Sequence, residues 1–246
     1  MTQPEPQETA VEESLTPLIL AALTAWLALV FPAVMASTVP NPSEIFRFDR
    51  FWTSQVDRLM PYLARLARFG WARTGRELGN QVAFDPDDPY LVEVLAMTRN
   101  LLVRVQERVY RDVIKTMAVG RDNGETVAQI RQRVDNILNI NGSENWPNRA
   151  LVIARTEIAR FNEAGALAAA RRIEQVERST IFKQWDDRDD DKVRRSHVRV
   201  DNQLRRLGEF FQVGRSAMQQ PLDPRGAPQD VVNCRCRLRF VRSGNG

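Results

Sequence analysis

The chain has 246 residues, 43% of them hydrophobic and 27% charged, which is long enough for a sizeable core and excludes a disordered or fibrous protein. Two cysteines exclude a disulfide framework and fit a reducing compartment. The net charge of +4 is uneven: 15 basic against 18 acidic residues in 1–146, then 20 against 13 in 147–246. The basic residues are nearly all arginine, which suits bidentate pairing with phosphates and carboxylates.

Residues 1–14 are polar and acidic, lack the basic start of a secretory signal, and read as a disordered tail. From Ser14 to Ser43 no residue is charged, and 18–36 is apolar apart from Thr24. That length would span a bilayer, but Pro32 should end or kink a helix near Leu29, and the acidic and mixed flanks give weak topogenic signals. A helix buried in a core, against a second copy or against a partner protein is the favoured reading; a membrane span is the alternative.

Two prolines in 39–43 break that helix, and Ser43 is placed to cap the next, over 44–79, with an apolar stripe from Ile45 to Phe69 and a bend at Pro61. Asp88 and Pro89 have the N-cap and N1 pattern of a helix of about thirty residues ending at Gly120. A turn at 121–124, a helix over 124–138 and a long helix over 148–178 follow. Within the last, Glu157 can pair with Arg160 at i+3, a structural role favoured over a catalytic one.

The period then changes. Residues 179–185 alternate as a strand, 186–191 form an acidic loop, and 191–204 make a short helix or turn carrying the only histidine, His197. Strands are expected over 208–214 and 231–240, the latter holding Cys234 and Cys236. Two apart on a strand, these cysteines would face one way. With His197 they supply three of four zinc ligands, and Asp190 or Asp201 would supply the fourth. Two free cysteines beside an ordinary histidine are the plain alternative. Arg194, Arg195, Arg235, Arg237 and Arg239 are candidate phosphate contacts for nucleic acid, against the repulsion of Asp186–Asp191.

In order and interval, RALVIARTEIARFNEAG (149–165), KQW (183–185), DDKVRRSH (190–197), EFFQVG (209–214), PLDP (221–224) and NCRC (233–236) resemble the phage head-morphogenesis proteins of the Mu F-like family. The likeness covers roughly residues 90–240. Where the family tends to have Asp-Gly after the histidine, this chain has Asp201-Asn202, and Asn keeps a left-handed turn accessible. The resemblance implies a minor capsid protein of a tailed phage. It would meet portal, capsid and scaffold proteins in the host cytoplasm during assembly and stay in the virion near the portal, with packaged DNA within reach. It also implies His and Cys positions suited to a metal, without an assigned activity.

The expected fold is α+β: a tail over 1–14, a helical docking region over 15–146, and a C-terminal module over 147–246 with short antiparallel strands. With one histidine and no phosphate loop, dinucleotide fingerprint or Ser/His/Asp arrangement, an enzyme is disfavoured. The rival from another class is a zinc-dependent hydrolase or toxin-like effector delivered with the genome.

Overall fold

The computed structural model describes residues 6–139 and 145–243. Eight helices and five strands follow in order: α1 (Pro6–Val34), α2 (Asp49–Glu77), α3 (Pro89–Val103), α4 (Val105–Asp122), α5 (Val127–Leu138), α6 (Asn145–Glu177), β1 (Ile181–Asp186), α7 (Arg195–Val198), β2 (Leu204–Arg206), β3 (Phe211–Val213), β4 (Ser216–Met218), α8 (Pro228–Val231) and β5 (Arg237–Arg242). The fold is α+β, helical first and with short antiparallel strands at the end. Its two compact units interleave in sequence: 1–59 with 99–154, and 60–98 with 155–246. They therefore do not part at the expected 146/147 boundary, because segments distant in the chain share each core.

In the first unit, α1 buries Leu15, Ile19, Leu23, Trp26, Leu27, Val30 and Val34, at helical spacing along one face. Trp26 meets Trp52 of α2 with ring centroids 5.5 Å apart. The outward face carries Leu18, Ala21, Ala25, Ala28 and Leu29, exposed and uncharged, so the helix is buried on one side and not all round. Residues 13–34 are long and apolar enough to cross a membrane. The helix already runs at Pro6, so the expected tail is helical over 6–14; proline is tolerated at a first helical position, where its missing N–H costs nothing. Residues 1–5 of that tail lie outside the described residues. Pro32 sits so near the end that the helix continues only to Val34. Arg131 of α5 then donates to the carbonyls of Met35, Ser37 and Thr38, closing that end at distances of 3.1, 2.5 and 3.2 Å.

Two sequence expectations shift here for local reasons. The helix expected from Glu44 starts at Asp49, after a 3-10 turn over Pro42–Phe48. Asn41, not Ser43, provides the cap, accepting from the Ser43 amide at 3.2 Å. The single helix expected from Pro89 to Gly120 breaks at Arg104 into α3 and α4. Trp52 donates its indole N–H to the Leu102 carbonyl at 2.9 Å, diverting a group the helical ladder would use. Asp88 does cap α3, accepting from the amides of Tyr90 and Leu91 at 2.9 and 3.3 Å. The expected Asn141-Gly142 stop lies outside the described residues.

In the second unit, α2 and α6 touch backbone to backbone. A Cβ on Gly70 would lie 1.7 Å from the Asn162 carbonyl oxygen, and one on Gly165 would lie 1.8 Å from that of Ala67. Only glycine permits this approach. The three-stranded sheet has order β2-β1-β5, all antiparallel, and β3-β4 form a separate hairpin. β1 alternates as its sequence suggests: Ile181, Lys183 and Trp185 are buried, and Phe182, Gln184 and Asp186 face outward. At the far edge of β5 the amides of Leu238 and Phe240 are answered by Glu163 of α6 at 2.6 Å and Glu77 of α2 at 3.3 Å. Two carboxylates thus occupy donors that an uncovered edge would offer to another strand.

Lys183 is the unusual buried residue of this sheet. Its Nζ donates to the carbonyls of Leu207 (3.1 Å) and Gln219 (2.7 Å) and lies 5.3 Å from the Phe211 ring centroid. Burial, reinforced by the nearby Arg171, lowers its pKa to about 7. Between about pH 7 and the ordinary lysine value the unfolded chain binds more protons than the folded one, so stability should rise with pH across that window and be lost as pH falls through it. Urea midpoints measured from pH 7 to 10 should show this rise, on the order of a few kcal/mol. In Lys183→Met the slope should flatten, and an equal slope in that variant would assign the pH dependence to other groups.

Candidate metal centre

His197 lies on α7, a single turn whose C-terminal end is closed by the amides of Val200 and Asp201 donating to the His197 carbonyl, both at 3.0 Å. Asn202 follows with φ +59°, the left-handed turn expected at that position. Cys234 and Cys236 are not on a strand as expected; they lie between α8 and β5, which starts at Arg237. Asn233, with φ +58°, turns the chain out of α8, and its amide donates to Thr156 Oγ1 of α6 at 3.1 Å. The turn, and not a pleat, brings both sulfurs to the imidazole.

The three groups converge. His197 Nδ1 is 3.2 Å from Cys236 Sγ and 3.5 Å from Cys234 Sγ, and all three ligand atoms lie within 4.8 Å of one another, buried. Zinc bonds of about 2.0–2.1 Å to nitrogen and about 2.3 Å to sulfur, at a tetrahedral angle, place N and S roughly 3.5 Å apart. The donor set and its spacing therefore fit the ion. Trp185 of β1 walls the cluster, edge-on to the imidazole with centroids 5.6 Å apart. Nε2 of His197 is buried with no hydrogen-bond partner among the described residues, so the ring is directed by its Nδ1 side.

Electrostatics in the cluster push the thiols apart. A hydrogen bond from Cys236, helped by His197, holds the Cys234 thiol well below its ordinary range against the opposing effect of burial. The same hydrogen bond and burial drive Cys236 upward. Their shared hydrogen bond thus drives the two thiols in opposite directions.

The two candidate carboxylates do not join the cluster. Asp190 forms a bidentate pair with Arg235, at 2.7 and 2.6 Å. Asp201 accepts from the Asp187 amide at 2.9 Å and from the Asn202 side chain. Several of the candidate nucleic-acid arginines have partners within the protein while staying partly exposed, Arg235 on Asp190 among them. Arg237 and Arg239 share Asp186 at 2.7 and 2.9 Å, and Arg194 donates to the Val232 carbonyl at 2.5 Å. Arg195 stands exposed on α7. The pairings of Asp186 and Asp190 with these arginines answer the local repulsion seen in the acidic loop.

Behind the cluster lies a buried polar frame that the sequence signals only in part. Glu157 pairs with Arg160 at i+3, and Arg160 Nε donates to the Leu222 carbonyl at 2.9 Å. Leu222 has φ +60° inside PLDP, so that arginine holds a strained turn. Asp230 accepts from Ser196 at 3.2 Å and Ser216 at 3.1 Å, linking α8 to the residue before His197. Thr156, Glu163 and Asp230 were not foreseen. Glu163 alone carries a signal, as an acid within the run 161–170 that is buried all round.

The model of the family described as Phage Mu protein F like protein matches residues 107–239. Minor head protein GP7 of Bacillus phage SPP1 is 26% identical over 174 residues, 70% of this chain and 54% of that protein. The chain thus spans about half the length of that relative. No solved structure matches it.

Proposed function

Because the chain belongs to the phage Mu protein F-like family, we propose that it is a minor head protein of a tailed phage, assembling with portal, capsid and scaffold proteins and retained in the virion near the portal. The observation that carries this reading is the family match over 107–239, which contains the buried frame around His197, Cys234 and Cys236. In this reading the second unit is a stable carrier whose Cys2His cluster binds zinc. The metal, when bound, supplies coordinate bonds that tie α7 to the segment before β5. Cys234 and Cys236 give the thiolates, and His197 gives Nδ1.

The first unit provides the docking face. The outward side of α1 presents Leu18, Ala21, Ala25, Ala28 and Leu29 without a charge, and a contiguous apolar surface of this kind is characteristic of a protein interface. We assign portal protein as its partner, in preference to a membrane. Co-expression with the portal protein of the same phage should give a complex that co-purifies. Ala25→Glu/Leu29→Glu, both at exposed positions, should abolish that complex while leaving the thermal melt unchanged. Intact portal binding by this double variant would refute the assignment, and sedimentation of the full chain with carbonate-washed membranes would replace it with a span. Turnover of nucleic acid or NAD by the purified chain, lost in His197→Ala, would favour the hydrolase or toxin class instead.

A further inference from the structure

The outward face of the β2-β1-β5 sheet has no part in the metal centre. In register, Phe182 of β1 stands beside Arg206 of β2 on one side and Val241 of β5 on the other, with Arg239 opposite Gln184. Leu204 and Val241 are exposed, and Phe182 is half-buried. The Arg206 guanidinium lies 5.7 Å from the Phe182 ring centroid, so the ring already receives a planar cation on this face. Charge is unbalanced. Arg237 and Arg239 share the single carboxylate of Asp186, and Arg206 is a third cation, so the eight outward side chains of the three strands carry three positive charges and one negative.

We propose that this face binds single-stranded nucleic acid, with a base stacked on Phe182 and the backbone phosphates held by Arg206 and Arg239. The chemistry selects the occupant. An excess of arginine charge is complementary to a polyanion. An aromatic ring set at the level of the sheet can be used by an unstacked base, whereas the bases of a duplex are turned inward and cannot reach it. An acidic polypeptide would use the arginines but has no planar group for the ring. Asp186 holds Arg239 Nε at 2.9 Å while leaving the side chain 52% exposed, so the rest of its guanidinium is free to meet a phosphate. The proposal goes beyond the head-assembly reading and is independent of it, since neither portal docking nor zinc uses this face.

The test is fluorescence anisotropy of the full chain with labelled oligo-dT at low salt, against a duplex of equal length. Binding to the single strand should be at least several-fold tighter. Phe182→Leu, which keeps an apolar strand residue but removes the ring, should weaken it about tenfold. Phe182→Tyr should retain it. Arg206→Gln and Arg239→Gln should each reduce the salt dependence by roughly one phosphate contact. No binding at low salt, equal affinity for the duplex, or an unchanged Phe182→Leu variant would each overturn the proposal. So would displacement of oligo-dT by poly-glutamate at equal charge concentration, which would assign the face to an acidic polypeptide.

Discussion

Metal analysis of the purified chain should return about one zinc per molecule, and Cys234→Ser/Cys236→Ser should return none. Structural zinc sites contribute on the order of 10 kcal/mol to the folding of the segment they close. Here the ion would fasten α7 to the stretch between α8 and β5, adding coordinate bonds to the thiol–imidazole contacts at 3.2 and 3.5 Å and to the Arg194 bond to the Val232 carbonyl. The double variant should therefore melt well below the parent, by about 10 °C or more, and a chelator should lower the parent toward the same value. Asp190→Asn should keep its zinc, because Asp190 is held by Arg235 and not by the cluster. Parent protein without zinc and a double variant of equal stability would remove the metal from the proposed function. Loss of zinc in Asp190→Asn would instead restore that carboxylate as a ligand.

Gly165→Ala should be, with Gly70→Ala, among the most damaging single methyls in the second unit. The new Cβ would sit 1.8 Å from the Ala67 carbonyl oxygen and 2.6 Å from its carbon, both backbone atoms that no rotamer change can move. α2 and α6 would have to separate, and the packing on either side of the crossing would be lost with them. Overpacking commonly costs about 1–3 kcal/mol, and a clash of backbone against backbone belongs at or above the top of that range. That corresponds to a fall in melting temperature of about 10 °C for a protein this size. Gly208→Ala is the matched control, since nothing lies within 4 Å of its added Cβ and its φ is not in the left-handed region. Circular dichroism melts of the two variants make the comparison. A Gly165→Ala melt within a degree or two of the parent would mean that the two helices are not held at this crossing.

The features that the sequence makes legible are those decided within a few residues. Asp88 followed by Pro89 gives the start of α3, alternation gives β1, i+3 spacing gives the Glu157–Arg160 pair, and Asn202 gives a left-handed turn. What escapes is decided by partners far along the chain. The break at Arg104 depends on an indole fifty residues earlier. β2 is three residues long and exists because β1 pairs with it, so its own composition carries little signal. The C-x-C segment looks like a strand by spacing, and the turn at Asn233, anchored on Thr156, overrides that pattern. The candidate metal ligands His197, Cys234 and Cys236 are legible by rarity, as the chain's only histidine and cysteines. The carboxylates are not, because an aspartate-rich loop offers many equivalent candidates and only packing tells which of them arginines occupy.

The interleaving of the two units bears on how the chain matures during synthesis. The polypeptide passes from one unit to the other after residues 59, 98 and 154, so neither unit is complete until the third passage has emerged. Residues 60–98 must wait on the ribosome, apolar faces uncovered, for partners at least 57 residues downstream. Closure then joins segments of high sequence separation late, which slows folding and lengthens exposure to chaperones. The same arrangement limits dissection. A fragment starting at residue 147 carries Gly165 and β5 but not Gly70 or Glu77, leaving the helix crossing without its partner and the Phe240 amide without its carboxylate. Fusions that transplant the C-terminal stretch alone should need residues 60–98 supplied as a second chain before they become soluble.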